Sequence, residues 1–77
     1  MEAENYLLAL FTLTERKYGM PLYEKLGMSR DQCRTWLMAL HEKNLSLSDA
    51  QETIATVVAR RGEAGDQESL DELLHYV

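Results

Sequence analysis

The stretch from Leu22 to Leu37 constrains the fold of this chain more than any other segment. Its middle combines Gly27, which suits a turn with positive φ, with Ser29, which can cap a following helix. Gln32 stands three residues after Ser29, and the pair forms the capping-box pattern of a helix N-terminus. The segment therefore predicts a short helix, a tight turn and a second helix. The apolar residues expected to lock these helices together are Leu22, Leu26, Met28, Cys33 and Leu37.

Helical periodicity also runs through the remainder of the chain, and no run of residues alternates with the period of a strand. Glycine and proline interrupt this periodicity and set the expected limits of each helix. The fold is therefore expected to be all-α, a small bundle of four to five short helices. The first three are predicted at Ala3–Tyr18, Pro21–Lys25 and Arg30 to about Lys43, with Gly19 and Asn44 as stops.

Two serines compete to begin the fourth helix. Ser48 with Gln51 forms one capping box, and Ser46 with Asp49 offers a competing cap. We favour Ser48 as the cap and expect the helix to end at Gly62. The apolar side chains that it is expected to bury are Ala50, Ile54, Val57 and Val58.

The sequence changes character after Gly62. Residues 63–66 read as a polar, glycine-containing linker, and Asp66 can cap a short last helix with an acidic outer face. We therefore divide the chain into a helical core at residues 1–62 and a linker with an acidic C-terminal helix at residues 63–77. The leucines that share one face of this last helix are Leu70, Leu73 and Leu74.

Length and composition limit the class of protein. A single domain of 77 residues buries only about 60% of its unfolded surface, so we expect a second copy to add stability. Cys33 is the only cysteine, which fits a reducing compartment. The chain shows no secretory signal and no apolar run near the ~20 residues that a membrane span needs. We therefore expect a cytoplasmic protein with no membrane association.

Charge is distributed unevenly along the chain. The net charge of −5 argues against non-specific nucleic-acid binding as a property of the whole surface. Residues 15–45, however, carry six basic and four acidic side chains, whereas residues 46–77 carry two basic and seven acidic ones. The segment that holds the predicted helix pair is therefore the only one with a positive balance, which favours separate binding and interaction regions.

The residues Leu26-Gly27-Met28-Ser29-Arg30, followed by Cys33 and Trp36-Leu37, resemble the pattern of bacterial and phage helix-turn-helix regulators. The resemblance covers residues 22–37 and matches the glycine at the turn, the serine at the cap and the apolar spacing. It implies a helix-turn-helix at residues 21–43. Tyr23 departs from the pattern, because those regulators prefer alanine there, and we expect its side chain to swing outward or to widen the crossing angle.

The same resemblance implies which side chains would meet DNA. Ser29, Arg30, Asp31 and Thr35 fall where such regulators contact bases, and Gln32 shares their exposed face. The side chains that would hold phosphates are Lys25, Arg34 and Lys43.

Two hypotheses for function follow. The leading one is a small DNA-binding transcriptional regulator that acts as a homodimer on double-stranded DNA. The alternative is an acidic protein-interaction module, such as an adaptor, a chaperone-like partner or an inhibitor of a larger complex. The predicted pairing surfaces are the first helix, through Tyr6, Leu7, Leu10 and Phe11, the C-terminal leucines Leu70, Leu73 and Leu74, and for a homodimer also Ile54, Val57 and Val58.

Catalytic and metal chemistry find little support in the sequence. No turn marks a nucleophile, and no glycine-rich loop could cradle a phosphate. His41 and His75 are far apart, and neither has a second ligand at metal spacing. Cys33 lies on an apolar stripe and is expected to be an inert core residue. We therefore expect neither an enzyme nor a cofactor or metal site.

Overall fold

The computed structural model of the chain describes residues 2–64, with side chains as far as residue 61. This part of the chain is all-helical, as predicted, and no strand occurs in it. The expected last helix, with Leu70, Leu73 and Leu74, lies outside the described residues. The helices that the structure describes are α1 (Ala3–Tyr18), α2 (Leu22–Leu26), α3 (Arg30–Glu42) and α4 (Leu47–Ala64).

Glycines end the first two helices in the left-handed conformation, as predicted. Gly19 has a φ of 73° and Gly27 a φ of 70°, values that cost a glycine little because it has no Cβ. The N–H of Gly27 donates to the Glu24 carbonyl (3.1 Å), and the N–H of Met28 donates to the Tyr23 carbonyl (2.9 Å). This pair of bonds is a Schellman closure, and it leaves three residues between α2 and α3.

The end of α3 uses an asparagine in the same way. Asn44 has a φ of 59°, which confirms it as the predicted stop. The N–H of Leu45 then donates to the Leu40 carbonyl at 3.3 Å. The last helical residue is Glu42, and Lys43 forms the C-cap, one residue earlier than expected.

The start of α4 corrects the favoured prediction. The hydroxyl of Ser46, not that of Ser48, accepts a hydrogen bond from the Asp49 N–H (3.1 Å). The Gln51 side chain donates to the Leu47 carbonyl (3.2 Å) instead of forming a box with Ser48. Leu47 is half-buried and packs against the core, and this contact draws the helix start towards Ser46.

Two other limits also differ from the prediction. Pro21 has an extended ψ of 142° and forms the N-cap, so α2 spans Leu22–Leu26 rather than the expected Pro21–Lys25. Gly62 lies inside α4, which continues to Ala64 into the expected linker. A glycine lowers helix stability by about 1 kcal/mol and ends a helix only where other interactions favour a stop.

The core forms where α1 packs against the other three helices. Trp36 is its largest fully buried side chain. The hydroxyl of the buried Thr14 donates to the Leu10 carbonyl (2.6 Å), so this polar group keeps a partner. Val58, predicted to be buried, is only half-buried. The buried apolar side chains are Tyr6, Leu7, Leu10, Leu22, Leu26, Cys33, Trp36, Leu37, Leu40, Ala50, Ile54 and Val57.

Candidate nucleic-acid interface

α3 divides sharply into a buried stripe and an exposed face. Cys33, Trp36 and Leu37 have no accessible surface, because they face α1 and the rest of the core. This anchoring fixes the direction in which the opposite face of the helix points. The exposed side chains on or directly before that face are the predicted site residues Ser29, Arg30, Asp31, Gln32, Arg34 and Thr35, together with Glu42 at the end of the helix.

Ser29 and Gln32 form the predicted capping box. The Ser29 Oγ accepts from the Gln32 backbone N–H (3.1 Å), and the Gln32 Oε1 accepts from the Ser29 backbone N–H (3.2 Å). These bonds use acceptor oxygens only. The hydroxyl proton of Ser29 and the amide N–H₂ of Gln32 therefore remain available as donors to a ligand.

Thr35 is tied to its own helix. Its Oγ1 donates to the Asp31 carbonyl oxygen at 3.0 Å, which uses the hydroxyl proton. What Thr35 can offer outward is its methyl group and a hydroxyl lone pair. The Asp31 carboxylate stays exposed beside it, as an acceptor at the start of the helix.

Arg30 and Arg34 stand one helical turn apart at the exposed start of α3. No carboxylate of the described residues forms an ion pair with either guanidinium. Both arginines border a surface groove of about 440 Å³ that also includes acidic and apolar side chains of α1. The other residues of this groove are Glu4, Leu7, Leu8, Phe11 and Asp31.

The remaining predicted cations lie in different places. Lys25 is exposed near the end of α2, four residues before the cap of α3. Lys43 is exposed at the C-cap of α3, and the rise of an α-helix puts it about 20 Å from Arg30. The structure thus brings Lys25 towards the start of α3 and leaves Lys43 at the far end of the same helix.

The structure groups Lys25 with two residues that the sequence did not indicate as site residues, Lys17 and Tyr18. The Lys25 Nζ is 5.9 Å from the centre of the Tyr18 ring, and the Lys17 Nζ is 5.5 Å from the same ring centre. The positive balance of residues 15–45 included Lys17, but only the packing of α1 against α2 brings these side chains together.

The predicted pairing surface on α1 is mostly taken up by the core. Tyr6, Leu7 and Leu10 are buried within the chain itself, and only Phe11 of the predicted set remains half-buried. Leu8, which lies off the apolar stripe, is instead 66% exposed in the groove next to the two arginines. The fourth helix behaves similarly, since Ile54 and Val57 are buried and Val58 is half-buried.

Two buried groups have perturbed acidity. Burial raises the pKa of the Cys33 thiol to about 12, so at neutral pH the thiolate that a nucleophile requires is scarcely populated. Burial, with a smaller effect from the charge of Asp49, also raises the pKa of the Tyr6 phenol. The Tyr6 ring packs edge-on against His41, with ring centres 5.0 Å apart. Neither acidic group is therefore prepared for chemistry at neutral pH.

Residues 2–64 show neither a metal site nor a membrane span. There, no three histidine, cysteine or acidic side chains come together to hold a metal ion, and no helix combines the length and apolarity of a membrane span. No known protein-family model, curated protein or solved structure matches this chain.

Proposed function

We propose that this chain is a small helix-turn-helix protein that binds double-stranded DNA as a dimer and regulates transcription. In this proposal α2, the turn at residues 27–29 and α3 form the DNA-binding unit, and α3 enters the major groove. Arg30, Asp31, Gln32 and Thr35 read base edges from the exposed face of α3. Lys25, Arg34 and Lys43 hold phosphates.

The connection between the two helices supports this proposal. Helix-turn-helix units join two helices by a turn of three or four residues that often contains glycine. Here the connection is Gly27, Met28 and Ser29, with Gly27 in the left-handed conformation and Ser29 capping α3. The turn and the buried stripe hold α3 against the core, so its outer face is available to a duplex.

The observation that carries the proposal is that the guanidinium groups of Arg30 and Arg34 form no ion pair within the described part of the chain. Arginine is favoured both for ion pairs with carboxylates and for phosphate and nucleic-acid recognition, and neither group has a carboxylate partner among the described residues. Guanidinium groups match both phosphate oxygens and the O6 and N7 acceptors of guanine. Asp31 beside them can accept from cytosine N4, so a carboxylate on this face is compatible with base reading.

Pairing of two copies is the second part of the proposal. A symmetric dimer presents two α3 helices to half-sites about 34 Å apart. Of the pairing residues expected on α1 and α4, Phe11 and Val58 are those that the core leaves half-buried. Sedimentation equilibrium of the full chain, alone and with a duplex of about 25 base pairs, measures the stoichiometry that tests this part.

Anisotropy with a fluorescent pool of random duplex DNA, at 50 and 200 mM salt, tests DNA binding directly. We expect the wild-type chain to bind with strong salt dependence, and the double variant Arg30→Ala, Arg34→Ala to lose most of the affinity. Each lost phosphate contact lowers the slope of log K against log salt by about 0.9. Arg16→Ala is the control for net charge, because it removes one positive charge, against two in the double variant, from an exposed position on α1.

Circular dichroism of each variant confirms that the helices remain folded. Absence of binding by micromolar wild-type protein at 50 mM salt would refute the proposal. An equal loss of affinity in Arg16→Ala would show that net charge, rather than the start of α3, determines binding.

The groove beside the two arginines favours a second candidate function, the protein-interaction module. Leu8 is the most exposed large apolar side chain of the described residues, and Phe11 lies in the same groove. A partner with an apolar side chain and a carboxylate would fit Leu8 and Arg34 together. If the duplex does not bind, capture of a partner that Leu8→Gln abolishes would establish this second function.

A further inference from the structure

Two lysines from different helices converge on one aromatic ring. The Nζ atoms of Lys17, in the last turn of α1, and Lys25, in the last turn of α2, lie 5.5 and 5.9 Å from the centre of the half-buried Tyr18 ring. The ring attracts both ammonium groups through its negative face. Like charges on neighbouring elements repel each other, so this cluster favours an anion that lies close to both.

Within residues 2–64, these two charges have no ion-pair partner. No carboxylate of the described residues pairs with Lys17 or Lys25, and both side chains are exposed. Tyr18 packs against the core, and the centre of its ring lies within 6 Å of both lysine Nζ atoms. The arrangement therefore places two exposed cations beside one ring that the core supports.

We propose that the Lys17–Tyr18–Lys25 cluster binds the phosphate backbone of the duplex, and that the end of α1 is thus part of the DNA interface. This inference rests on the proposed function. In helix-turn-helix complexes the first motif helix crosses the backbone while the second lies in the major groove. Lys25 belongs to that first helix, α2, and Tyr18 couples Lys17 to it. The backbone contact is therefore extended from α2 onto α1.

Single charge removals test the cluster in the full-length chain. In the anisotropy titration with random duplex, we expect Lys17→Gln and Lys25→Gln each to lower the salt slope by about 0.9. Lys17→Arg should keep the wild-type slope of log K against log salt, because the positive charge at this position is kept. Arg16→Gln is the matched control on the same turn of α1, and it should leave the slope closer to that of the wild type.

A separate variant tests the role of the Tyr18 ring. Tyr18→Leu removes the aromatic face but keeps both charges and an apolar side chain against the core. We expect it to weaken binding several-fold at both salt concentrations while the slope stays unchanged, because the ring positions the cations and does not itself displace counterions. Thermal unfolding of each variant shows whether the fold persists.

The outcomes separate this inference from the proposed function. If the wild type binds and the Arg30, Arg34 variant fails, but Lys17→Gln matches Arg16→Gln, the cluster is not part of the interface and the proposed function stands. If only the lysine variants lose affinity, the cluster binds DNA and the role assigned to α3 is wrong. If the wild-type chain binds no duplex at 50 mM salt, both are overturned.

Discussion

Cys33 and Tyr6 are the residues at which the fold most clearly opposes ionisation. The Cys33 thiol has an ordinary pKa of 9.0, and burial raises the pKa to about 12. The folded chain therefore holds this proton more tightly than the unfolded chain. The resulting stability is complete below pH 9 and disappears as the pH rises towards 12. The raised pKa of Tyr6 acts in the same direction at slightly higher pH.

We therefore predict that the free energy of unfolding falls by about 1 kcal/mol between pH 8 and pH 10 from Cys33 alone. Urea denaturation at the two pH values, followed by helical circular dichroism, measures the change. Cys33→Ala is the control. It should be less stable at both pH values because of the cavity, but it should lose distinctly less stability between them. An identical pH dependence in both proteins would contradict the assignment to the thiol.

Arg30 and Arg34 should differ in what they contribute to DNA binding. We assign Arg30 to base edges and Arg34 to phosphate, so Arg34→Ala should weaken binding to every sequence and lower the salt slope by about one. Arg30→Ala should instead narrow the difference in affinity between preferred and random duplexes, by about 1–3 kcal/mol. Site selection followed by titration at several salt concentrations measures both effects. An unchanged salt slope in Arg34→Ala would count against its phosphate role.

At the scale of the helices, the start of α4 offers a clean comparison of two serines. The Ser46 hydroxyl caps the Asp49 N–H, whereas Ser48 makes no side-chain hydrogen bond among the described residues. We predict that Ser46→Ala lowers the free energy of unfolding by about 1 kcal/mol, and that Ser48→Ala changes it by less than about 0.5 kcal/mol. Urea denaturation of both variants is sufficient. Equal losses would restore Ser48 as a competing cap.

The turn between α2 and α3 depends on a left-handed residue. At Gly27, alanine should cost about 1–2 kcal/mol because its Cβ meets the backbone at a φ of 70°. Gly27→Asn should be less destabilising, because asparagine tolerates this conformation and Asn44 already adopts it at the end of α3. Thermal melts rank the two variants. A turn that accepted alanine without loss would mean that the left-handed conformation is not required in solution.

These helices also show how far local sequence signals extend. Gly19, Gly27 and the Ser29–Gln32 box predicted their helix ends correctly, because each end is decided within four residues of chain. The start of α4 was missed because the two serine caps are nearly equal locally, and the packing of Leu47 on the core distinguishes them. Local sequence signals are thus sufficient to predict a helix end, except where two capping residues compete.

The candidate site likewise has some features that the sequence predicted and others that depend on how the helices pack. The helical period of α3 predicted that Arg30 and Arg34 would be exposed, and they are. Their groove with Leu8, and the meeting of Lys17 with Lys25, depend on where α1 lies across the other helices. No pattern within a single helix encodes that placement.

At the scale of the whole molecule, the DNA binding that we propose requires a local arrangement of cations, because the chain carries a net charge of −5. In that proposal, the long-range field of the chain repels a polyanion, while Lys17, Lys25, Arg34 and Lys43 attract phosphates at close range. Salt screens the repulsion between the distant charges as well as the attraction at the surface. The measured slope should therefore be smaller than these four cations alone would give.

Variants of Leu8 and Leu10 show whether the groove beside Arg30 and Arg34 contributes to stability, to DNA binding or to neither. They lie two residues apart on α1, but Leu8 is 66% exposed and Leu10 is fully buried. Leu10→Ala should therefore destabilise the chain by about 2–5 kcal/mol, and Leu8→Ala by less than about 0.5 kcal/mol.

We also expect Leu8→Ala to bind random duplex within about twofold of wild type, because a leucine at this position offers nothing to a phosphate. Denaturation and anisotropy of the same samples measure both. If a fully folded Leu8→Ala chain lost DNA binding, the interface would have to be assigned to the groove between α3 and α1 instead of the exposed face of α3.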